Sequence, residues 1–251
     1  MKPFLDVPVA AMAHRGFSLD GLENSMAAFG GAVALGFRYV ETDAHATADG
    51  FAVALHDGTL DRTTDGHGLV RDLPWREVRE ARIGGVEPVP LLEDLLGTWP
   101  DLRVNVDVKE PGAVFPVAEA IERTASHDRV LVASFSAARR RATLRRLTRP
   151  VATSAGTTEI ARFLLDARLG RPVDWLTRQV DCLQVPTGAG RLPVVDERTL
   201  AAAHGAGLKV HVWTVNAPAQ MHRLLDLGVD GLISDRADLL AGVLAARGTW
   251  P

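Results

Sequence analysis

Along almost the whole chain, short runs of β-branched and apolar residues alternate with longer Ala-, Leu- and Arg-rich stretches of helical period. No other feature of the sequence limits the fold as tightly. Two parallel strands can be joined only by a crossover of about a dozen residues or more, usually a helix. The alternation therefore reads as a series of parallel βα units. The strand candidates are residues 9–13, 38–42, 51–55, 103–108, 130–134, 151–155, 182–185, 209–213 and 231–233. Helices are expected near 24–34, 91–98, 113–126, 136–147, 157–169, 196–206, 217–227 and 236–246. Asn24, Asn216 and Asp235 stand before three of these helices and have the short polar side chains that suit N-caps. Gly36, Gly207 and Gly228 fall where helix C-termini call for a left-handed residue.

Nine strands are one too many for an eight-stranded barrel, and the link between the second and third resolves the excess. Thr47-Ala48-Asp49-Gly50 is too short for a parallel crossover, whereas Asp-Gly is a strong hairpin signal. The 51–55 run should return antiparallel as a small flap. Eight parallel strands remain, which is a (β/α)8 TIM barrel of the α/β class. A two-residue turn at Asp49-Gly50 makes paired residue numbers total 99 and sets Asp43 opposite His56, with Cβ atoms roughly 4.5–5.5 Å apart. Residues 57–90, rich in Gly, Asp, Arg and Thr, read as an insertion with a short helix near 74–81. Long loops in such folds often cover sites, so a lid or small subdomain is expected over the C-terminal face. The 251 residues suit one barrel domain spanning 1–251.

Bulk properties exclude several function classes. A hydrophobic fraction of 47% and a charged fraction of 24% are those of a globular chain. The net charge is −3, and the densest basic run, Arg139-Arg140-Arg141 with Arg145-Arg146, lies on a predicted helix and reads as a solvated face. No nucleic-acid partner is expected. The single cysteine, Cys182, sits in an apolar run and reads as a core residue in a reducing compartment. Asp6 and Pro8 interrupt the N-terminal apolar residues, so no signal peptide is expected. No stretch approaches the ~20 apolar residues of a membrane span. The expectation is a cytoplasmic protein without stable membrane insertion; its oligomeric state is not legible.

In a parallel barrel, catalytic groups sit where strands end at the C-terminal rim. The first strand ends in His14-Arg15, the second in Glu41-Thr42-Asp43, the flap in His56-Asp57 and the next barrel strand in Asp107-Val108-Lys109. Taken singly, each has a plain structural reading. Their joint occurrence at four strand ends does not. Three carboxylates (Glu41, Asp43, Asp107) suit a hard divalent ion such as Mg2+, Ca2+ or Mn2+. Two imidazoles, His14 and His56, suit one general acid and one general base. Arg15 offers a planar fork for phosphate oxygens, and Lys109 a point charge for the same anion. The set points to phosphoryl chemistry. Trp213, ending the seventh barrel strand, reads equally as a pocket wall or as a packing residue; Ser134, Phe135 and Gln184 also end strands and are candidate walls. Of the other histidines, His45 flanks the site, His67 is a candidate substrate contact, and the rest read as structural. No dinucleotide fingerprint or nucleophile elbow occurs.

With these residues in view, the chain resembles the glycerophosphodiester phosphodiesterase family over essentially its whole length. The matching pieces are Ala13-His14-Arg15-Gly16, Glu23-Asn24-Ser25, Glu41-Thr42-Asp43, His56-Asp57 followed by Leu60-Asp61-Arg62-Thr63-Thr64-Asp65-Gly66, Val89-Pro90-Leu91-Leu92-Glu93-Asp94, Asn105-Val106-Asp107-Val108-Lys109, Trp213-Thr214-Val215-Asn216 and Gly231-Leu232-Ile233-Ser234-Asp235. The resemblance implies a TIM barrel with His14 and His56 as the acid/base pair. It implies that Glu41, Asp43 and Asp107 hold one divalent cation, and that Arg15 and Lys109 hold the phosphate. The implied substrate is a small glycerophosphodiester, cleaved to sn-glycerol 3-phosphate and an alcohol. Two positions depart from the family pattern. Leu22 replaces the usual Pro. Asp107 replaces the usual Glu, an arm shorter by one methylene, roughly 1.5 Å, which bears on metal preference. Two rivals remain: a lysophospholipase D-like enzyme on lipid substrates, against which the polar insertion argues, and a non-catalytic phosphate-binding barrel.

Overall fold

The structure is a computed structural model that describes residues 2–189 and 192–250. Eight parallel strands, Ala10–His14, Tyr39–Ala46, Arg103–Val108, Val130–Ala133, Ala152–Thr153, Cys182–Pro186, Lys209–Trp213 and Gly231–Ser234, follow one another around a barrel, and the last pairs with the first. The ring closes through a single parallel bridge between Ser154 and Cys182, backed by Asp181 N–H donating to Thr153 O and Ala155 N–H to Cys182 O. Helices occupy the crossovers, as the alternation requires. Val40, Ala44, Val104, Val106 and Val108 point outward into the large core under the helices. At the N-terminal end the barrel is plugged by Phe4, Leu5, Met12, Tyr39, Leu131 and Ile233; the Tyr39 hydroxyl donates to Phe4 O at 2.7 Å. Apolar residues thus fill the bottom, and polar ones gather at the strands' C-terminal ends.

The 51–55 run pairs antiparallel with the second strand, as expected, but in a different register. Ala44 faces Ala54, His45 faces Val53 and Ala46 faces Ala52, so paired numbers total 98 and not 99. The turn takes three residues instead of two. Gly50 N–H donates to Thr47 O and Thr47 N–H to Phe51 O, with Gly50 left-handed at φ 88°, the arrangement of a turn closed by a glycine bulge. Asp43 therefore meets Leu55, whose N–H donates to Asp43 O. His56 lies past the end of the flap strand Ala52–Ala54, so the pleat no longer dictates which way it points.

The insertion has its own small core of Leu60, Val70, Val78, Ala81 and Ile83, packed on Val53 and Leu55 of the flap. It contains a short helix, Trp75–Val78. The predicted caps differ. Ser25, not Asn24, caps the helix Met26–Ala34, its hydroxyl accepting from Ala28 N–H. Ala217 and Arg236 occupy the cap positions expected for Asn216 and Asp235. The three displaced polar side chains have other partners, described below. Gly36, Gly207 and Gly228 are left-handed as expected.

Candidate active site

Strand register decides which side chains meet. His14 aligns with Glu41, and Glu41 with Asn105; one layer higher, Asp43 aligns with Asp107. All five line one cavity of about 400 Å³, together with Arg15, His56, Lys109 and Trp213. The residues given acid/base, metal or phosphate roles from the sequence are therefore all at this mouth.

Each imidazole is held through Nδ1 by a carboxylate. His14 Nδ1 lies 2.5 Å from Asp235 Oδ1, and His56 Nδ1 lies 2.6 Å from Asp57 Oδ1. The other nitrogen of His14 is 3.6 Å from Glu41 Oε2. Burial disfavours the protonated His14, but Glu41 and the hydrogen bond to Asp235 outweigh it and raise its pKa. Asp57 is pulled down to about 2, first by its hydrogen bonds from Arg62 and then by His56.

Asp43 is the hub of the charged cluster. Its carboxylate takes Lys109 Nζ at 2.7 Å, Arg15 Nε at 3.0 Å and Asn24 Nδ2 at 3.2 Å. Burial pushes its pKa up, but Lys109 and Arg15 bring it below the usual range. Arg15 is left-handed at φ 57° and is followed by left-handed Gly16. A Cβ on Gly16 would lie 2.6 Å from the Ala28 carbonyl carbon. Only glycine lets the chain turn there against the helix, and that turn aims Arg15 at Asp43. Arg15 also binds Glu23, which Arg62 of the insertion holds in turn while gripping Asp57. His45 spans Glu110 and the carbonyl of His56.

As the side chains stand, no group of three or more His, Cys, Asp or Glu converges tightly enough to hold a metal ion, among the described residues. Lys109 lies between Asp43 and Asp107, 2.9 Å from the latter. The donor set nonetheless fits a hard cation. Glu41 Oε2, Asn105 Oδ1 and Asp107 Oδ1 are all buried without a hydrogen bond. Burial, followed by the charges of Asp43 and Asp107, pushes Glu41 well above the ordinary carboxylate range. Buried acceptor oxygens left without a donor are the condition that a divalent cation relieves.

Asp235, Arg62, Asn24 and Asn216 support this site in ways that the sequence reading did not assign. Asn24 donates to Asp43 and accepts from Thr42 Oγ1. Asn216 Nδ2 donates to Asp235, and its Oδ1 accepts from Asp235 N–H. The only sequence signal was their place inside motifs. His67 is largely exposed beside Asp61, and the cavity wall draws on none of residues 57–90.

Residues 14–239 match the glycerophosphoryl diester phosphodiesterase family. The chain belongs to that family. A protein of Mycobacterium tuberculosis named probable glycerophosphodiester phosphodiesterase 2 is 50% identical over 243 residues, covering 96% of this chain and 92% of that protein. A glycerophosphodiester phosphodiesterase of Caldanaerobacter subterraneus is 30% identical, covering 94% and 98%. Among solved structures, an Oleispira antarctica phosphodiesterase in complex with the product sn-glycerol-3-phosphate superposes with TM-score 0.79 at 21% identity, covering 98% of this chain and all of that one. The chain is thus an enzyme of the glycerophosphodiester phosphodiesterase class, on the family's barrel.

Proposed function

We propose that this enzyme hydrolyses glycerophosphodiesters to sn-glycerol 3-phosphate and an alcohol, with His14 and His56 as general acid and base and a divalent cation at the carboxylates. The observation that carries the reading is the pair of imidazoles in one cavity, each fixed at Nδ1 by its own carboxylate. That leaves Nε2 of each ring for proton transfer. One ring takes the proton of the attacking hydroxyl, and the other gives a proton to the departing alcohol oxygen. Arg15 and Lys109 supply positive charge for the phosphate's equatorial oxygens. Trp213 walls the substrate. Glu41, Asp43 and Asp107 would hold the cation, Mg2+, Ca2+ or Mn2+, which when bound supplies Lewis-acid polarisation of a phosphate oxygen.

The test is sn-glycerol 3-phosphate release from several glycerophosphodiesters, with EDTA and metal add-back. We expect EDTA to abolish turnover and one of the three ions to restore it. His14→Ala and His56→Ala should each lower kcat by roughly 10²–10⁴-fold while the thermal midpoint stays within a few degrees. Full activity in either folded variant removes the two-histidine reading, and full activity in EDTA removes the cation.

A further inference from the structure

We propose, resting on the diesterase reading above, that the half of the cavity built by the later strands binds an aliphatic chain carried on one ester arm of the substrate. The charge in this cavity is one-sided. His14, Arg15, Glu41, Asp43, His56, Asp107 and Lys109 all come from the first three barrel strands and the flap. From Ala133 round to Ile233, no lining residue among those described is charged. The border is an edge-to-face pair, Phe135 and Trp213, with ring centroids 5.9 Å apart. Lys109 Nζ lies 5.7 Å from the Phe135 ring, so the apolar half begins where the phosphate-binding half ends.

Beyond that border the wall is the helix Thr157–Arg168. Thr157, Ile160, Ala161 and Leu164 face the cavity; their spacing of three and four places them on one stripe. Phe163 and Ala167, on another face of the helix, are buried in the core. A barrel helix ordinarily turns its apolar side to the strands. This one also turns a second apolar stripe to the pocket. Its start is fixed: Glu159 accepts from the fully buried Arg140, from Arg141 and from Gly156 N–H. Behind Leu164 and Val194 the lining continues with Leu183, Val185, Leu200 and Val210 around a void of only about 10 Å³. Of the polar groups on this side, Ser134 is committed to Val108 O and Arg139 and Gln184 faces His211, while Ser154, Thr157 and Thr214 add neutral hydroxyls.

A charged alcohol placed here would lose water and meet no opposite charge among the described lining residues on this side. A methylene would gain about fourfold in affinity when buried, from ~0.8 kcal/mol. The polar insertion, which argued from sequence for soluble substrates, does not line the pocket and so does not weigh against a chain.

The test is kcat/KM over two series kept monomeric: sn-glycero-3-phosphoalkanols with methyl, butyl and octyl alcohols, and lysophosphatidylcholines with short acyl chains, alongside glycerophosphocholine. We expect kcat/KM to rise several-fold for each added methylene until the pocket is filled, in at least one series. The product, sn-glycerol 3-phosphate or its acylated form, identifies the arm that carries the chain. Leu164→Asp should flatten the rise. Flat or falling values in both series, or a preference for glycerophosphocholine over every chain, overturn the pocket assignment and leave the diesterase reading standing. If no diester is turned over, the diesterase reading fails. Calorimetry with methyl, butyl and octyl phosphate then still decides the pocket: tightening with length supports it, and equal affinities overturn it.

Discussion

At the scale of single residues, the proposed acid/base chemistry depends on how two imidazoles are held. Asp235 lies 221 positions from His14 in the chain and 2.5 Å from its Nδ1 in space. A carboxylate in that place fixes ring orientation and tautomer, as in other acid/base sites. Asp235→Asn keeps the volume and loses the anion, so we expect kcat to fall by roughly 10²–10⁴-fold with KM within about threefold and the fold intact. Wild-type kcat in a folded Asp235→Asn enzyme would remove the residue from the site. The sequence placed Asp235 before a helix and suggested a cap, because a short polar residue in that position caps helices often. The pairing with His14 depends on the last strand lying beside the first, and no local pattern encodes it. Asp57 stood beside His56 in the same motif, but its hydrogen bond to that ring was not assigned from the sequence either. Asn24 was misread for the same reason as Asp235, a short polar side chain before a helix; its backbone is left-handed at φ 61°, and its side chain turns inward to Asp43.

At the scale of elements, the strands and helices were legible because their periods differ, and register was not. Local pattern identified the Asp-Gly hairpin, but a two-residue and a three-residue turn share that signal. What separates them is a network around the turn: Asp49 accepts from Thr47 Oγ1 and from Trp75 N–H of the insertion. The register in turn releases His56 from the pleat and lets Asp57 and Arg62 orient it. Gly50 lets the backbone take the longer turn, with φ 88° and open space for 4 Å around the point where a Cβ would stand. The cost of a side chain there is conformational alone. Gly50→Ala should therefore destabilise the protein by about 1–2 kcal/mol, read as a lower urea midpoint with an unchanged slope. An unmoved midpoint would mean that the turn is not held in this conformation.

At the scale of the whole molecule, the barrel separates charge by height and by side. Ionic groups occupy the mouth over the first strands, apolar walls the mouth over the later ones, and hydrocarbon the base. The alternation of strands and helices made the eight-fold count readable. The pocket-facing stripe of Thr157–Arg168 was not, since a helix with two apolar faces looks the same in sequence whether one of them meets a cavity or a neighbour. One histidine tests the solidity of the barrel itself. His211 is buried inside it beside Gln184, with Asp230 and Lys209 as its charged neighbours, and burial pulls its pKa from 6.5 down to about 4. Between those values the unfolded chain binds a proton that the folded one refuses, so stability falls as pH drops from 6.5 towards 4. At 1.36 kcal/mol per pH unit, His211 should account for about 2–3 kcal/mol of the stability lost between about pH 7 and pH 4.5. His211→Gln removes that contribution while the carboxylates titrate as before. Urea unfolding of both proteins at the two pH values should show the variant losing less stability on acidification, whatever its stability at neutral pH. Equal losses would mean that His211 takes up its proton in the folded barrel as readily as in the unfolded chain, and that the interior around Gln184 admits water.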